Sequence, residues 1–139
     1  AFLVAAALLA QFTGWRFILF PPLIVIGFEM FAHSAVCPWT GRPLVLTVAC
    51  ALSALAGVEL VLTVGNTPLA VAISALVSIF VLRLFDLYAP PILAVGLLSF
   101  LIPHANYTFP IAIGIGTLLL VVFFLAWNQF HKRTETRNA

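Results

Sequence analysis

The chain has 139 residues, of which 64% are hydrophobic and 7% charged, and its formal net charge is +2; its mean hydropathy is +1.22. Soluble domains contain about 25% charged and about 45–50% apolar residues, and a small fold buries only about two-thirds of the surface that its chain exposes. This composition excludes a water-soluble domain and predicts an integral membrane protein whose main partner is the lipid bilayer.

Six apolar segments follow one another along the chain, and short stretches with turn-forming residues separate them. In chain order they are Ala1–Phe12, Pro22–Val36, Leu44–Val64, Leu69–Phe85, Pro91–Ile102 and Ile111–Trp127. The third, fourth and sixth are long apolar runs without alternation. Such runs predict helices, because every backbone polar group in lipid must find its partner inside the protein. The predicted fold class is all-α, a polytopic transmembrane helical bundle.

A pair of prolines occurs twice and marks an internal repeat. At an offset of 69 residues four positions are identical, namely Pro21 and Pro90, Pro22 and Pro91, Gly27 and Gly96, and Phe31 and Phe100. Proline fits the first turn of a helix, where the N–H groups have no intrahelical partner. We therefore predict one domain, residues 1–128, made of two three-helix repeats (1–64 and 65–128), each with a short proline-led second helix. Residues 129–139 are predicted to be a polar cytoplasmic tail that frays.

The second and fifth segments, of fifteen and twelve residues, are shorter than an ordinary transmembrane helix. About 20 residues are needed to cross the hydrocarbon core, whereas these lengths reach only about 18–23 Å. The two segments are therefore either re-entrant or short spans that non-helical backbone completes.

The basic residues favour six crossings. If every segment crosses, Arg16 lies on one side and five basic residues lie on the other, namely Arg42, Arg83, Lys132, Arg133 and Arg137. Re-entrant second and fifth segments would instead split the basic residues evenly. The positive-inside rule then places the C-terminus in the cytoplasm and the chain in the inner cell membrane, with the two repeats running in opposite directions.

Inverted repeats with short or broken helices are the architecture in which transporters build a site near the bilayer midplane. The sequence therefore predicts a transporter or channel for a small solute, above all a small inorganic anion. The alternative is an accessory or scaffold membrane subunit in which the repeat provides only stable packing.

Glu29 and His33 are the first candidates for chemistry. They are spaced i, i+4 in the second segment and so share one helix face, and an ionisable group within a span costs at least about 2.5–3.5 kcal/mol. A carboxylate one turn from an imidazole can relay a proton. The same two groups can also form a hydrogen-bonded pair that locks the repeats together, and both interpretations fit the spacing.

Helix ends and hydroxyl groups supply further candidates for a substrate path. The free N–H groups and the positive dipole end of a helix attract anions, which assigns to the path the prolines that begin the short helices, Pro21, Pro22, Pro90 and Pro91. The hydroxyls of Ser99 and Thr47 can line the same path. Their alternative role is interhelical hydrogen bonding, which is the favoured role for Ser53.

Two ion pairs are predicted near the ends of the spans. The six-crossing topology places Arg16 and Glu59 on the same side, and Arg83 and Asp86 are spaced i, i+3 at the end of the fourth segment. The second pair is predicted to be a salt bridge that caps a helix.

Small residues four positions apart predict close helix contacts, either within one chain or in a homo-oligomer. The two patterns are Ser53-x-x-x-Gly57 and Ala112-x-x-x-Gly116.

Motifs of soluble enzymes are absent from the sequence. It contains no Gly-rich phosphate loop, HExxH, CxxC or nucleophile elbow, and Cys37 and Cys50 have no metal-ligand spacing. We therefore predict no enzymatic activity, no catalytic residue, no cofactor, no metal and no nucleic-acid partner.

Four stretches carry a resemblance to a known family. They are Tyr88-Ala89-Pro90-Pro91, His33-Ser34-Ala35-Val36, the run from Ala51 to Val58, and Tyr107-Thr108-Phe109-Pro110. Their order resembles the HPP family of small integral membrane proteins, named for a His-Pro-Pro motif that opens a short helix. In this chain Ala89 stands where the family has histidine. The resemblance implies a transporter, with nitrite as the substrate attributed to plant plastid relatives.

Overall fold

The computed structural model describes residues 4, 7, 8, 11, 12, 21–33, 41–104 and 106–138. The described part of the chain forms five helices and contains no strand, which confirms the all-α prediction: α1 (Pro21–Ala32), α2 (Pro43–Val64), α3 (Pro68–Leu84), α4 (Pro91–Leu98) and α5 (Thr108–Asn138). The described residues of the first apolar segment are also helical. Arg16 and Cys37 lie outside the described residues.

The helix boundaries match the predicted segments in the middle of the chain and differ later. α4 ends at Leu98, four residues before the predicted end at Ile102. Two i→i+3 bonds tighten its last turn, from Phe100 N–H to Leu97 C=O (3.1 Å) and from Leu101 N–H to Leu98 C=O (3.0 Å). The following Pro103 disfavours helical backbone at the residue before it.

Residues 129–138, which were predicted to form a polar tail that frays, continue α5 as a helix. No proline or glycine follows Thr117 to interrupt the helix. The side chains of Thr134 and Thr136 also bond carbonyls one turn earlier, at Phe130 (3.0 Å) and Lys132 (3.1 Å).

Specific contacts give the directions of the three longer helices. α2 and α5 are antiparallel, because Tyr107 reaches Glu59 while Gly114 lies opposite Ala51. α2 and α3 form an antiparallel hairpin across a short turn, and the hydroxyls of Ser53 and Ser78 meet near its centre. The start of α2 therefore lies at the same end of the bundle as the ends of α3 and α5.

We call this the basic end of the bundle, because it carries every lysine and arginine that the structure describes. They are Arg42, Arg83, Lys132, Arg133 and Arg137, and all five are exposed. Glu59 lies toward the opposite end.

The two short helices run in opposite directions. α4 is parallel to α2, since Ser53 bonds Ile92 and Gly57 contacts Gly96. α1 is parallel to α5, because Gly27 lies against Leu120, and Phe31 lies against Phe124 with ring centroids 5.7 Å apart. Extending these registers to the first residue of each short helix places both starts near the level of Ala51, close to the middle of α2.

The fifth apolar segment crosses the bundle partly as non-helical backbone. α3 ends in a Schellman-type turn in which Asp86 is left-handed (φ 51°) and Leu87 N–H bonds Leu82 C=O at 2.9 Å. The chain then returns to mid-level with Leu87 and Ala89 buried (8% and 1% exposed) before α4 begins. Within the bundle this segment therefore runs from one end to the other, with non-helical backbone before α4.

Two described helices are long and apolar enough to cross a membrane: Pro43–Val64, with mean hydropathy 2.2, and Thr108–Arg137, with mean hydropathy 2.6. Large apolar side chains are also exposed on the outer faces of the bundle. Examples are Phe28 on α1, Leu44 on α2, Leu76 on α3 and Val122 on α5.

Helices α2 and α4 make a close backbone contact at two glycines. A Cβ added to Gly57 would overlap the carbonyl oxygen of Gly96 and would lie 2.6 Å from Ser99 Oγ. The predicted close approach at Ser53-x-x-x-Gly57 is confirmed, and the small residues serve this contact within one chain.

We expect Gly57→Ala to lower the thermal midpoint of the detergent-solubilised protein, because overpacking of this kind costs about 1–3 kcal/mol. The control is Gly114→Ala, where the new Cβ would lie 3.9 Å from Ala51 Cβ, an ordinary contact. Alanine's higher helix propensity should leave that variant at least as stable as the parent. Equal midpoints for Gly57→Ala and the parent would contradict the tight contact.

Candidate functional site

A cluster of four serines surrounds α4 in the interior of the bundle. Ser53 comes from α2, Ser74 and Ser78 from α3, and Ser99 from the end of α4, and all four are fully buried. We call these residues the serine cluster.

Every hydroxyl in the serine cluster has a hydrogen-bond partner. Ser53 Oγ donates to Ile92 C=O at 3.1 Å, so the 2.6 Å contact between Ser53 and Ser78 uses the proton of Ser78. Ser74 Oγ donates to Gly96 C=O and Ser99 Oγ to Ala54 C=O, each at 3.4 Å.

These bonds stabilise α4, which is too short for many of its backbone N–H and C=O groups to find partners within the helix. The last four carbonyls of any helix lack intrahelical N–H partners, and Gly96 is among the last four residues of α4. An unsatisfied backbone group in lipid costs several kcal/mol. Ser74 supplies the donor for Gly96, and Ser53 adds a donor for Ile92, so neighbouring helices complete the hydrogen bonding of α4.

The sequence prediction is correct for part of this cluster. The interhelical bond predicted for Ser53 is confirmed. Ser99, assigned to a substrate path, makes the alternative interhelical bond and is fully buried. Ser74 and Ser78 were missed, although Ser74-x-x-x-Ser78 repeats the small-residue spacing that marked α2.

We expect Ser53→Ala and Ser78→Ala to be energetically coupled in a double-mutant cycle of unfolding free energy measured in detergent. Interhelical hydrogen bonds in membranes average about 0.6 kcal/mol and reach about 1.7 kcal/mol. Ser53→Ala should cost more than Ser78→Ala, because it also removes the bond to Ile92.

The control cycle pairs Ser53→Ala with Thr117→Val. Thr117 is buried but donates to its own helix, at Ile113 C=O (2.8 Å), so these two effects should add independently. Strict additivity of the Ser53 and Ser78 substitutions would contradict the shared bond.

Thr47 differs from the serine cluster. Its hydroxyl oxygen is buried on α2, and among the buried side-chain oxygen and nitrogen atoms of the described residues it is the one without a hydrogen-bond partner. It lies between the mid-level of the bundle and the basic end. The Thr47 hydroxyl is therefore free to donate a hydrogen bond to a solute, as its assignment to a substrate path requires.

The proline-led start of α4 offers few of the free donors expected there. Pro90 and Pro91 have no N–H, and the next two N–H groups bond backwards, from Ile92 to Ala89 C=O (3.0 Å) and from Leu93 to Pro90 C=O (3.1 Å). This helix start is therefore poorly suited to hold an anion, contrary to the sequence expectation. At α1, Pro22 is buried in the bundle.

Glu29 and His33 are in contact on α1, with Nδ1 of His33 3.5 Å from Oε2 of Glu29. Their side chains are 41% and 51% exposed, respectively, and the His33 ring also meets Phe28 edge-on at 5.7 Å. The register of α1 against α5 puts Glu29 near Val122, at the level where α2 begins. The pair therefore lies near the basic end of the bundle.

Of the two predicted ion pairs, Arg16 with Glu59 stays a prediction and Arg83 with Asp86 is not formed. Arg16 lies outside the described residues, and Glu59 accepts a hydrogen bond from the hydroxyl of Tyr107 at 3.0 Å. Arg83 and Asp86 share a backbone bond (Asp86 N–H to Arg83 C=O, 3.2 Å), but their side chains form no ion pair. The left-handed turn at Asp86 explains the difference, because a regular helix would be needed for the i, i+3 contact.

Two hydrogen bonds fasten the connection between α4 and α5 at the end opposite the basic one. One is the Tyr107–Glu59 bond, and the other runs from Asn66 Nδ2 to Phe100 C=O at 3.0 Å. The bond to Glu59 and the negative charge of that carboxylate raise the pKa of Tyr107 above its usual value.

Tyr107 can be titrated alone in a Tyr88→Phe background, because the chain has two tyrosines. We expect Glu59→Gln to lower the pKa of Tyr107, measured by phenolate absorbance, because it removes the charge. Glu59→Leu should lower that pKa further, because it also removes the hydrogen bond.

The raised pKa has a defined effect on stability. The Tyr107–Glu59 bond stabilises the fold below the unfolded pKa of tyrosine, about 10, and this contribution is lost as the pH rises through the higher folded value. A Tyr107 pKa that neither substitution changes would show that the bond is absent in solution.

The described part of the chain is a helical bundle in which buried hydroxyl groups join α2, α3 and α4. Two of its helices are long and apolar enough to cross a membrane. The chain matches no family model, no curated protein and no solved structure.

Proposed function

We propose that the chain is an integral membrane protein that transports or conducts a small inorganic anion, such as nitrite. The membrane assignment is supported by the lengths and composition of α2 and α5 and by the exposed apolar side chains around the bundle. Charged side chains in the described part of the chain lie toward its two ends, as expected if lipid surrounds its middle.

The observation that carries the proposal is the arrangement of α1 and α4. Both helices begin with proline near mid-level, and they run from there to opposite ends. Half-helices of opposite direction that start near the midplane are typical of transporters with inverted repeats. The proposal includes two inverted three-helix repeats, residues 1–64 and 65–128, with six crossings, and the positive-inside rule assigns the basic end to the cytoplasm.

The described side chains near mid-level argue against a cation as the solute. In the described residues, the side chains there that can bind a solute carry hydroxyl groups and no carboxylate. Cation pathways commonly use rings of acidic side chains. Thr47 is the best candidate to contact the solute, because its hydroxyl is buried and has no internal partner.

The choice of nitrite depends on the resemblance to the HPP family. The position of the family's histidine is occupied by Ala89, which is 1% exposed, so that position has no group to exchange a proton. Our proposal instead assigns proton exchange to Glu29 and His33, which lie near the basic end and are accessible.

We expect the purified protein to take up nitrite in proteoliposomes faster than protein-free liposomes do. Thr47→Val, which keeps the side-chain shape and removes the hydroxyl, should lower uptake severalfold. Thr63→Val is the matched control, because Thr63 is exposed and bonds its own helix at Glu59 C=O (2.7 Å). Equal uptake by the two valine variants would remove Thr47 from the path.

Glu29→Gln should lower uptake that is driven by a proton gradient, because glutamine cannot exchange a proton. Unchanged uptake would remove Glu29 from the mechanism and would leave the assignment of Thr47 unaffected.

A second candidate function is a scaffold subunit that does not transport. The serine cluster favours it, since all four hydroxyls are used in contacts between or along helices. A folded parent protein whose nitrite uptake equals that of protein-free liposomes would support this candidate over transport.

A further inference from the structure

Arg83 is an exposed cation that the protein itself does not neutralise. It lies in the last turn of α3, and the chain has only four acidic residues, all of them within the described ranges. Glu29 contacts His33 and Glu59 contacts Tyr107. None of the four forms an ion pair with Arg83.

Arg83 also lies deeper than the end of the bundle. The contact between Ser53 and Ser78 sets the register of α2 and α3 and places Arg83 near the level of Val48. That level is about 7 Å inside the first residue of α2, at a rise of about 1.5 Å per residue.

The face of α3 that carries Arg83 is otherwise apolar and exposed. Leu76, Ile79 and Phe80 precede it by seven, four and three residues and so share its face. They are 66%, 44% and 65% exposed, respectively. The guanidinium of Arg83 is exposed to solvent, and the helix face next to it is apolar.

We propose that Arg83 and this apolar face bind one phospholipid of the leaflet at the basic end. The planar guanidinium donates two parallel hydrogen bonds to a phosphate, and a long basic side chain near a helix end extends toward the headgroup layer. The acyl chains lie along Leu76, Ile79 and Phe80. Arg42, which lies just before the start of α2 at this end, also attracts anionic headgroups, so the bound lipid is an anionic one.

A phospholipid fits the site better than free phosphate does. Inorganic phosphate would contact one cation and an apolar surface that does not favour it. A phospholipid places its phosphate on Arg83 and its acyl chains on the apolar side chains. The proposal depends only on the membrane assignment within the proposed function, and its test in detergent measures no transport.

The test adds phosphatidylglycerol to the protein in a phosphate-free detergent and measures lipid retention by native mass spectrometry, together with the shift in thermal midpoint. We expect the parent to retain lipid and Arg83→Gln to bind it about tenfold more weakly, because glutamine loses both the charge and the paired hydrogen bonds to the phosphate. Arg83→Lys should fall between them, because lysine keeps the charge but loses the paired geometry.

The control is Arg137→Gln, an exposed cation in the extension of α5, which should bind lipid as the parent does. Without lipid, Arg83→Gln should have the midpoint of the parent, because Arg83 has no internal partner to lose. Inorganic phosphate alone should give no shift.

Three results would overturn the proposal. They are equal lipid binding by Arg83→Gln and the parent, equal losses for Arg83→Gln and Arg137→Gln, or a full shift with inorganic phosphate alone. If the protein fails to take up nitrite but binds lipid in a way that depends on Arg83, only the transport function is rejected.

Discussion

The close approach of two backbones, at Gly57 in α2 and Gly96 in α4, is the constraint on which the rest of the fold depends. α4 has eight residues, so a large share of its backbone groups lies at a helix end. Only a neighbour without a side chain lets α2 come close enough for Ser53 to reach the α4 backbone. That contact holds α4 at mid-level, so the connection before it must cross half of the bundle as non-helical chain.

Much of this fold follows from sequence patterns alone. Long apolar runs located α2 and α3 to within about one residue, and the duplicated prolines located the starts of the two short helices. The small residue at position 57 located a close contact between α2 and α4. These features share a cause, since each is determined by local backbone chemistry or by the need to satisfy polar groups in an apolar interior.

The features that sequence patterns missed depend on tertiary register. Spacing i, i+4 placed Glu29 and His33 on one face, but only the packing of α1 on α5 sets their depth. Spacing i, i+3 suggested a bond between Arg83 and Asp86, which holds only while the helix continues, and the left-handed residue that ends α3 is an aspartate and not the usual glycine. In the same way, the donors at the start of α4 are occupied because its first turn is tightened, which proline content alone does not reveal.

The unbroken course of α5 has a mechanical consequence. Gly114 lies opposite Ala51, so the start of α2 at Pro43 is level with Val122, and sixteen further residues of α5 extend beyond it. At about 1.5 Å per residue this extension is a rod about 24 Å long. Any tilt of α5 within the bundle is therefore amplified into a displacement of its outer tip, and a protein fused there would move with that tip.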